Sequence, residues 1–159
     1  MIDLLLDFAV IVFVAYTIAV IIKNKGIPIS YSRTHYLWKP FPLMLITWAI
    51  IGIAIYTKSQ TILTALAAIA LFVVGIAANY LFGDSKHDKL EYWAHMIGSY
   101  TTAILALVSI VYDHKQYLLS GGVALFYILF QFKIIKIKNE TFWCEFVGFA
   151  SYFLVLYLK

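Results

Sequence analysis

Residues 41–82 read FPLMLITWAIIGIAIYTKSQTILTALAAIALFVVGIAANYLF, two apolar runs separated by no more than Lys58-Ser59-Gln60. Lys58 is the only charged side chain in the whole stretch. A hydrocarbon core about 30 Å thick takes a helix of roughly 20 residues, with about 17 as the lower bound, and runs at 41–57 and 61–82 meet that length. A turn this short makes the two helices antiparallel neighbours. Working outward, four more apolar runs follow at 2–22, 92–112, 117–132 and 141–158. The expectation is an all-α polytopic integral membrane protein, a single six-helix transmembrane domain over 1–159. The run 117–132 is the shortest case. Because Phe132 leads into Lys133-Ile134-Ile135-Lys136, that helix is expected to continue past the membrane face with its lysines snorkelling to the headgroups. A transmembrane barrel would instead show segments of alternating polarity near ten residues long.

Composition agrees. Apolar residues are 64% of the chain and charged residues 13%, with a mean hydropathy of +0.90, whereas soluble domains carry about a quarter charged residues. Asp3 and Asp7 stand where a cleavable signal peptide would be basic, so the first run is expected to remain as a helix. A single cysteine, Cys144, allows no internal disulfide.

The cations give an orientation. Lys23, Lys25, Arg33, Lys39, Lys86, Lys89, Lys133, Lys136 and Lys138 fall in the links after the first, third and fifth runs; Lys58, Lys115 and Lys159 fall elsewhere. By the positive-inside rule the lysine-rich links face the cytoplasm and both termini face outward, as for a multi-pass protein of the cell inner (cytoplasmic) membrane. Loop lysines account for the net charge of +4, so no nucleic acid partner is implied. The outer turns, Lys58-Ser59-Gln60 and Asp113-His114-Lys115-Gln116, leave little backbone for a site. Trp38, Phe41, Tyr92, Trp93, Phe142 and Trp143 mark the inner boundary as an interfacial belt. Lys133, Lys136 and Lys138 would attract anionic lipid headgroups at about 1 kcal/mol each, or act as plain topology signals.

Two runs are rich in small residues. Ala65, Ala67, Ala68, Ala70, Gly75, Ala77 and Ala78 in the third, and Ala94, Gly98, Thr102, Ala106 and Ser109 in the fourth, permit close backbone approach in lipid. The first, second and fifth runs are bulkier and are expected at the periphery.

The fourth run carries the most specific chemical pattern. His87, Glu91, His95, Ser99 and Thr102 follow at steps of four, four, four and three, one stripe of a helix entering the membrane from inside. Asn79, Gln131 and Glu145 approach the same level from the third, fifth and sixth runs. A lone carboxylate in hydrocarbon is costly, so Glu145 needs a partner, with His95 and Arg33 as candidates. The expected site is an inward-facing polar pocket built on His95, Glu145, Glu91, Arg33, Asn79 and Gln131. The plainer alternative is that a His95–Glu145 pair only sets helix register, since buried polar contacts join membrane helices.

His87, Glu91 and His95 are also acceptable zinc ligands. Three ligands on one straight helix cannot close around an ion, so Glu145, Asp84 or His35 would have to complete a site, and the spacing is no established zinc signature. Without that site no cofactor is expected. No Ser lies in a nucleophile elbow, and no phosphate-binding glycine loop is present. In the first inner link, Ser30, Ser32 and Thr34 suit capping and Pro40 and Pro42 suit the opening of a helix; Arg33 and His35 offer an anion site instead.

The P-x-S-x-S-x-T-x-Y pattern from Pro28 to Tyr36, followed by Gly75 and by His95-Met96-Ile97-Gly98, resembles a group of small multi-span membrane proteins of Bacteroidetes and their phages, over roughly the first two thirds of the chain. The resemblance implies a membrane protein and no particular activity. A second likeness is to DRAM-like six-helix membrane proteins, which have a similar Pro-Ser-rich segment after the first helix; Arg33 departs from the acidic residue expected there. The alkaline-ceramidase and progestin-receptor superfamily of membrane metal hydrolases is similar in bringing His and Asp to one bundle face, but the last helix here offers Glu145 and no His. Three function classes follow: a nonenzymatic protein that binds or passes a small solute, proton or lipid headgroup; a metal-assisted membrane hydrolase; and a phage or defence protein acting by assembly, as a homo-oligomer, in a host membrane.

Overall fold

In the computed structural model the described residues are 2–28, 31, 43–76 and 89–158, with the side chains of 2, 89–92, 94, 95 and 131 outside that description. All the regular structure among them is helical: α1 (Ile2–Lys23), α2 (Leu43–Ser59), α3 (Ile62–Ile76), α4 (Lys89–Tyr112), α5 (Tyr117–Gln131) and α6 (Glu140–Tyr157). By length and composition α1 qualifies as a membrane span over Asp3–Lys23, while Leu43–Ser59, Ile62–Ile76, Met96–Tyr112 and Tyr117–Phe130 are shorter apolar helices.

Left-handed residues end several of these helices. Lys25 (φ 55°) and Gly26 (φ 145°) stop α1, with the Gly26 N–H donating to the Ile21 carbonyl at 2.9 Å. Lys133 (φ 55°) does the same for α5, and the Ile134 N–H closes on the Leu129 carbonyl at 2.9 Å. These are the bonds of a Schellman cap. They end α5 at Gln131, one residue from the expected 132, so the helix does not continue past the lysines that follow. At the start of α3 the Thr61 hydroxyl accepts from the Thr64 N–H at 3.2 Å and the Thr64 hydroxyl accepts from the Thr61 N–H at 3.1 Å. This reciprocal pair satisfies two donors that the first helical turn leaves open.

The helices alternate in direction, so one end of the bundle holds the two short turns and both termini. There Asp3 pairs with Lys58 and the Tyr157 hydroxyl donates to Asp7. The opposite end holds the lysine-rich links. Asn139 and Ile27 join two of them, through the Asn139 amide and the Ile27 carbonyl at 2.7 Å.

Close approach defines one side of the bundle. A Cβ added at Gly98 on α4 would stand 2.9 Å from Val74 Cγ2 and 3.4 Å from the Ala70 carbonyl oxygen on α3; one added at Gly75 would stand 3.2 Å from the Leu45 Cα on α2. Small residues thus join α2, α3 and α4 as the small stripes imply. The placement of α2 differs from expectation. It buries Met44, Thr47, Trp48, Ile51, Gly52, Ala54 and Ile55 and sits centrally, because the bulk of Trp48 fills an aromatic core rather than facing outward. That core gathers Phe13 and Tyr16 of α1, Tyr31 of the first link, Trp48, and Phe142, Phe146, Phe149 and Phe153 of α6.

Large apolar side chains also cover the outside. On α1, Leu4, Phe8, Ile11, Val14, Ile18 and Ile22 form one exposed face; on α4, Ile97, Tyr100, Ile104 and Val108 form another. Water would penalise such continuous faces heavily.

Candidate functional site

Tyr31 is the residue around which the site is built. Although it belongs to the link after α1, it is only 1% exposed. Its ring stacks on Phe142 with centroids 4.6 Å apart and meets Trp48 edge-on at 5.9 Å, and its hydroxyl shares a 2.7 Å hydrogen bond with Thr17. Burial pushes its phenol well above the ordinary range, so the ring is neutral and acts as a wedge between α1, α2 and α6. Its backbone N–H donates to Glu145 Oε2 at 2.7 Å. Among the described residues, the partner of Glu145 is therefore a backbone amide, two positions from Arg33.

Glu145 is half-buried and lines a cavity of about 420 Å³ between α2, α3, α4, α5 and α6. The volume lies within the range of small-molecule sites, roughly 300–1,000 Å³. Most of the wall is apolar, contributed by residues such as Leu71, Val74, Leu107, Ile110 and Phe149; the exceptions include Glu145, Ser99, Thr102 and the tyrosines Tyr100, Tyr127 and Tyr152. From Ser99 to Ile110 the cavity follows α4 for about 16 Å at 1.5 Å per residue. It is a slot with a carboxyl near its lysine-rich end, since Glu145 lies about 8 Å along α6 from its first residue. Tyr100, Ile104 and Ile128 belong both to its wall and to the exposed surface, which puts a mouth between α4 and α5.

Among the described residues, two polar atoms beside the slot lack a hydrogen-bond partner. Trp48 is 2% exposed, yet its Nε1 has no hydrogen-bond acceptor. Among the described residues, Glu145 accepts its hydrogen bond on Oε2; Oε1 accepts none. Tyr127 is occupied, donating to the Cys144 carbonyl at 2.8 Å, and Thr102 donates to the Gly98 carbonyl at 2.9 Å. Tyr127 also props α5 away from α6: its hydroxyl is 2.9 Å from where a Cβ of Gly148 would lie.

Of the residues singled out in the sequence, Glu145 is in the cavity wall, as are Ser99 and Thr102 from the α4 stripe. His95 and Glu91 belong to α4 and Gln131 ends α5, with side chains outside the description. Arg33, His35, Asn79, Asp84 and His87 lie outside the described residues altogether. Among the described residues no three His, Cys, Asp or Glu side chains cluster as metal ligands would.

A second polar group sits at the terminal end, where short turns leave little backbone. Asp113 Oδ2 accepts from the hydroxyls of Thr61 and Ser109, each at 2.7 Å, and Tyr152 donates to Ser109 at 3.1 Å. The Ser59 hydroxyl and His114 Nε2 are 3.2 Å apart. Among the described residues, polar side chains therefore cluster at the terminal end as well. Ser109 and Asp113 stand at i and i+4, a spacing visible in the sequence that reading the turns as mere connections overlooked. The cluster bonds to itself, tying the two turns together.

No protein-family model, curated protein or solved structure matches this chain.

Proposed function

We propose that the chain is a multi-pass protein of the cytoplasmic membrane, six helices with the lysine-rich links inside, that binds a small amphiphilic molecule in the slot beside Glu145. The observation that carries this reading is the slot itself: about 420 Å³ of mainly apolar volume with one carboxyl held at its lysine-rich end by the Tyr31 N–H. Apolar walls favour an alkyl or ring system, and a polar group at one end orients it. The continuous apolar outer faces of α1 and α4 support the membrane setting, since in lipid they need no further cover. Because the described wall is mainly apolar, the reading is binding of an amphiphile rather than passage of an ion. The hydrolase and assembly readings have no described observation in their favour.

Native mass spectrometry on protein extracted from its membrane tests the reading. The expected result is a retained small-molecule adduct that Ala124→Phe, which fills the slot from α5, removes. An unliganded spectrum for both proteins under conditions that retain annular lipid would contradict it.

A further inference from the structure

The slot has a direction, which follows from chain order. α4 and α6 both begin at the lysine-rich end, so Ser99, Tyr100 and Glu145, the first wall residues on each, lie toward that end, whereas Ile110 and Tyr152, the last, lie toward the turns. The hydroxyls of Thr102, Tyr127 and Tyr152 already donate, to the Gly98 carbonyl, the Cys144 carbonyl and Ser109. Those of Ser99 and Tyr100, like Glu145 Oε1, have no hydrogen-bond partner among the described residues. Unfilled hydroxyl and carboxyl capacity in the described wall therefore belongs to the lysine-rich end, and the remainder suits a hydrocarbon chain.

The opening that the described residues show is sideways. Tyr100, Ala103 and Ile104 on α4 and Ile128 on α5 belong to the wall and are also exposed on the outside of the bundle. In a membrane that mouth faces lipid, and apart from the Tyr100 hydroxyl its side chains are apolar. At the turn end a bonded row stands across the bundle instead, from Tyr152 of α6 through Ser109 of α4 and Asp113 to Thr61 before α3. A charged head passing the mouth would leave its hydration behind among apolar side chains. Inside, it would place a second ionisable group beside Glu145, where desolvation is costly even for a matched pair. An alcohol hydroxyl avoids both costs. It donates and accepts, so it meets Glu145 whichever protonation state the carboxyl takes.

Resting on the amphiphile-binding reading above, we infer that the slot takes an uncharged single-chain lipid with a hydroxyl head, loaded sideways from the bilayer between α4 and α5. The head lies at the lysine-rich end beside Glu145, and the chain runs toward Ile110 and Tyr152. The apolar mouth both admits this molecule and selects against charged amphiphiles of the same chain length.

The test uses the full chain in lipid nanodiscs, with Trp38, Trp93 and Trp143 changed to Phe so that Trp48 alone fluoresces. Trp48 borders the slot and is 2% exposed, which keeps it from quenchers in the surrounding lipid. Three probes share one brominated alkyl chain and carry a hydroxyl, a quaternary ammonium or a sulfonate head. After correction for partitioning into lipid, the alcohol is expected to bind at least about tenfold tighter than either ion. A charged probe that binds as tightly as the alcohol would overturn the uncharged class. The route is read separately, from the rate of quenching, in a protein carrying Cys144→Ser, Ile104→Cys and Ile128→Cys whose two new thiols are joined across the mouth by a flexible bis-methanethiosulfonate. Joining them is expected to slow loading of the alcohol by about tenfold, with the original rate restored by a reductant and no slowing in either single-cysteine protein. An unchanged rate in the joined protein would overturn sideways loading. If none of the probes quenches saturably, the amphiphile-binding reading itself fails; saturable quenching that depends on neither head nor joint leaves that reading in place and removes this inference.

Discussion

Between α3 and α4 the backbones meet through Gly98, packed so closely that an added methyl would lie 2.9 Å from Val74. Between α5 and α6 the contact is a tyrosine strut: Tyr127 spans the gap to the Cys144 carbonyl. The same six-helix bundle is thus dense on one side and hollow on the other. Small residues in register let helices close completely, whereas a long side chain braced end-on sets a minimum separation and leaves the space beside it empty. The slot is a consequence of that difference, and it lies where α4 leaves the dense layer for the open one.

The comparison can be broken most severely at the wedge that serves both sides. Tyr31→Ala removes a fully buried ring, its Thr17 hydrogen bond and the support beneath Glu145, and is expected to cost about 3–5 kcal/mol, read as an earlier midpoint in an SDS titration of mixed micelles. Gly98→Val should cost about 1–3 kcal/mol by overpacking; Gly98→Ala combined with Val74→Ala should recover most of the loss seen in Gly98→Ala alone. Without that recovery, the close approach of α3 and α4 is not what the glycine protects. Ser109→Ala removes one hydroxyl between Tyr152 and Asp113 and should lower stability by about 1 kcal/mol, with little effect on ligand retention. The smallest change belongs to the open side. Around Gly122 an added Cβ meets nothing within 4 Å, so Gly122→Ala should be neutral or stabilise α5 by up to about 1 kcal/mol through helix propensity.

How much of this was legible in the sequence follows from the physics of each feature. The helices were readable because Lys58-Ser59-Gln60 and Asp113-His114-Lys115-Gln116 interrupt runs that are otherwise apolar; their ends came within a few residues, except that the expected end of the third run at 82 lies outside the described residues. The end of α5 came within one residue of the expected 132, but that Lys133 stops the helix was not readable, since a lysine in the left-handed region looks like any snorkelling lysine until its φ is seen. That Glu145 needs a partner was a sound expectation from solvation alone. That the partner is the Tyr31 amide was not readable, since every residue has a backbone N–H and side-chain chemistry does not distinguish this one. Trp48 was assigned to a peripheral helix by its size, although aromatic bulk suits a core equally well once Tyr31 and Phe149 are there to meet it. The slot is the least legible feature. The alanines and leucines that line it are the same types that close the dense side, and only the strut at Tyr127 decides which of them meet.

Photo-crosslinking with a single-chain amphiphile that carries a diazirine in its chain, followed by mapping of the adducts, tests the account most directly. The slot predicts adducts on residues 99–107 of α4, 123–128 of α5 and 145–152 of α6, lost together in Ala124→Phe. Adducts spread over the outward faces of α1 and α3, at the same yield in Ala124→Phe, would contradict it.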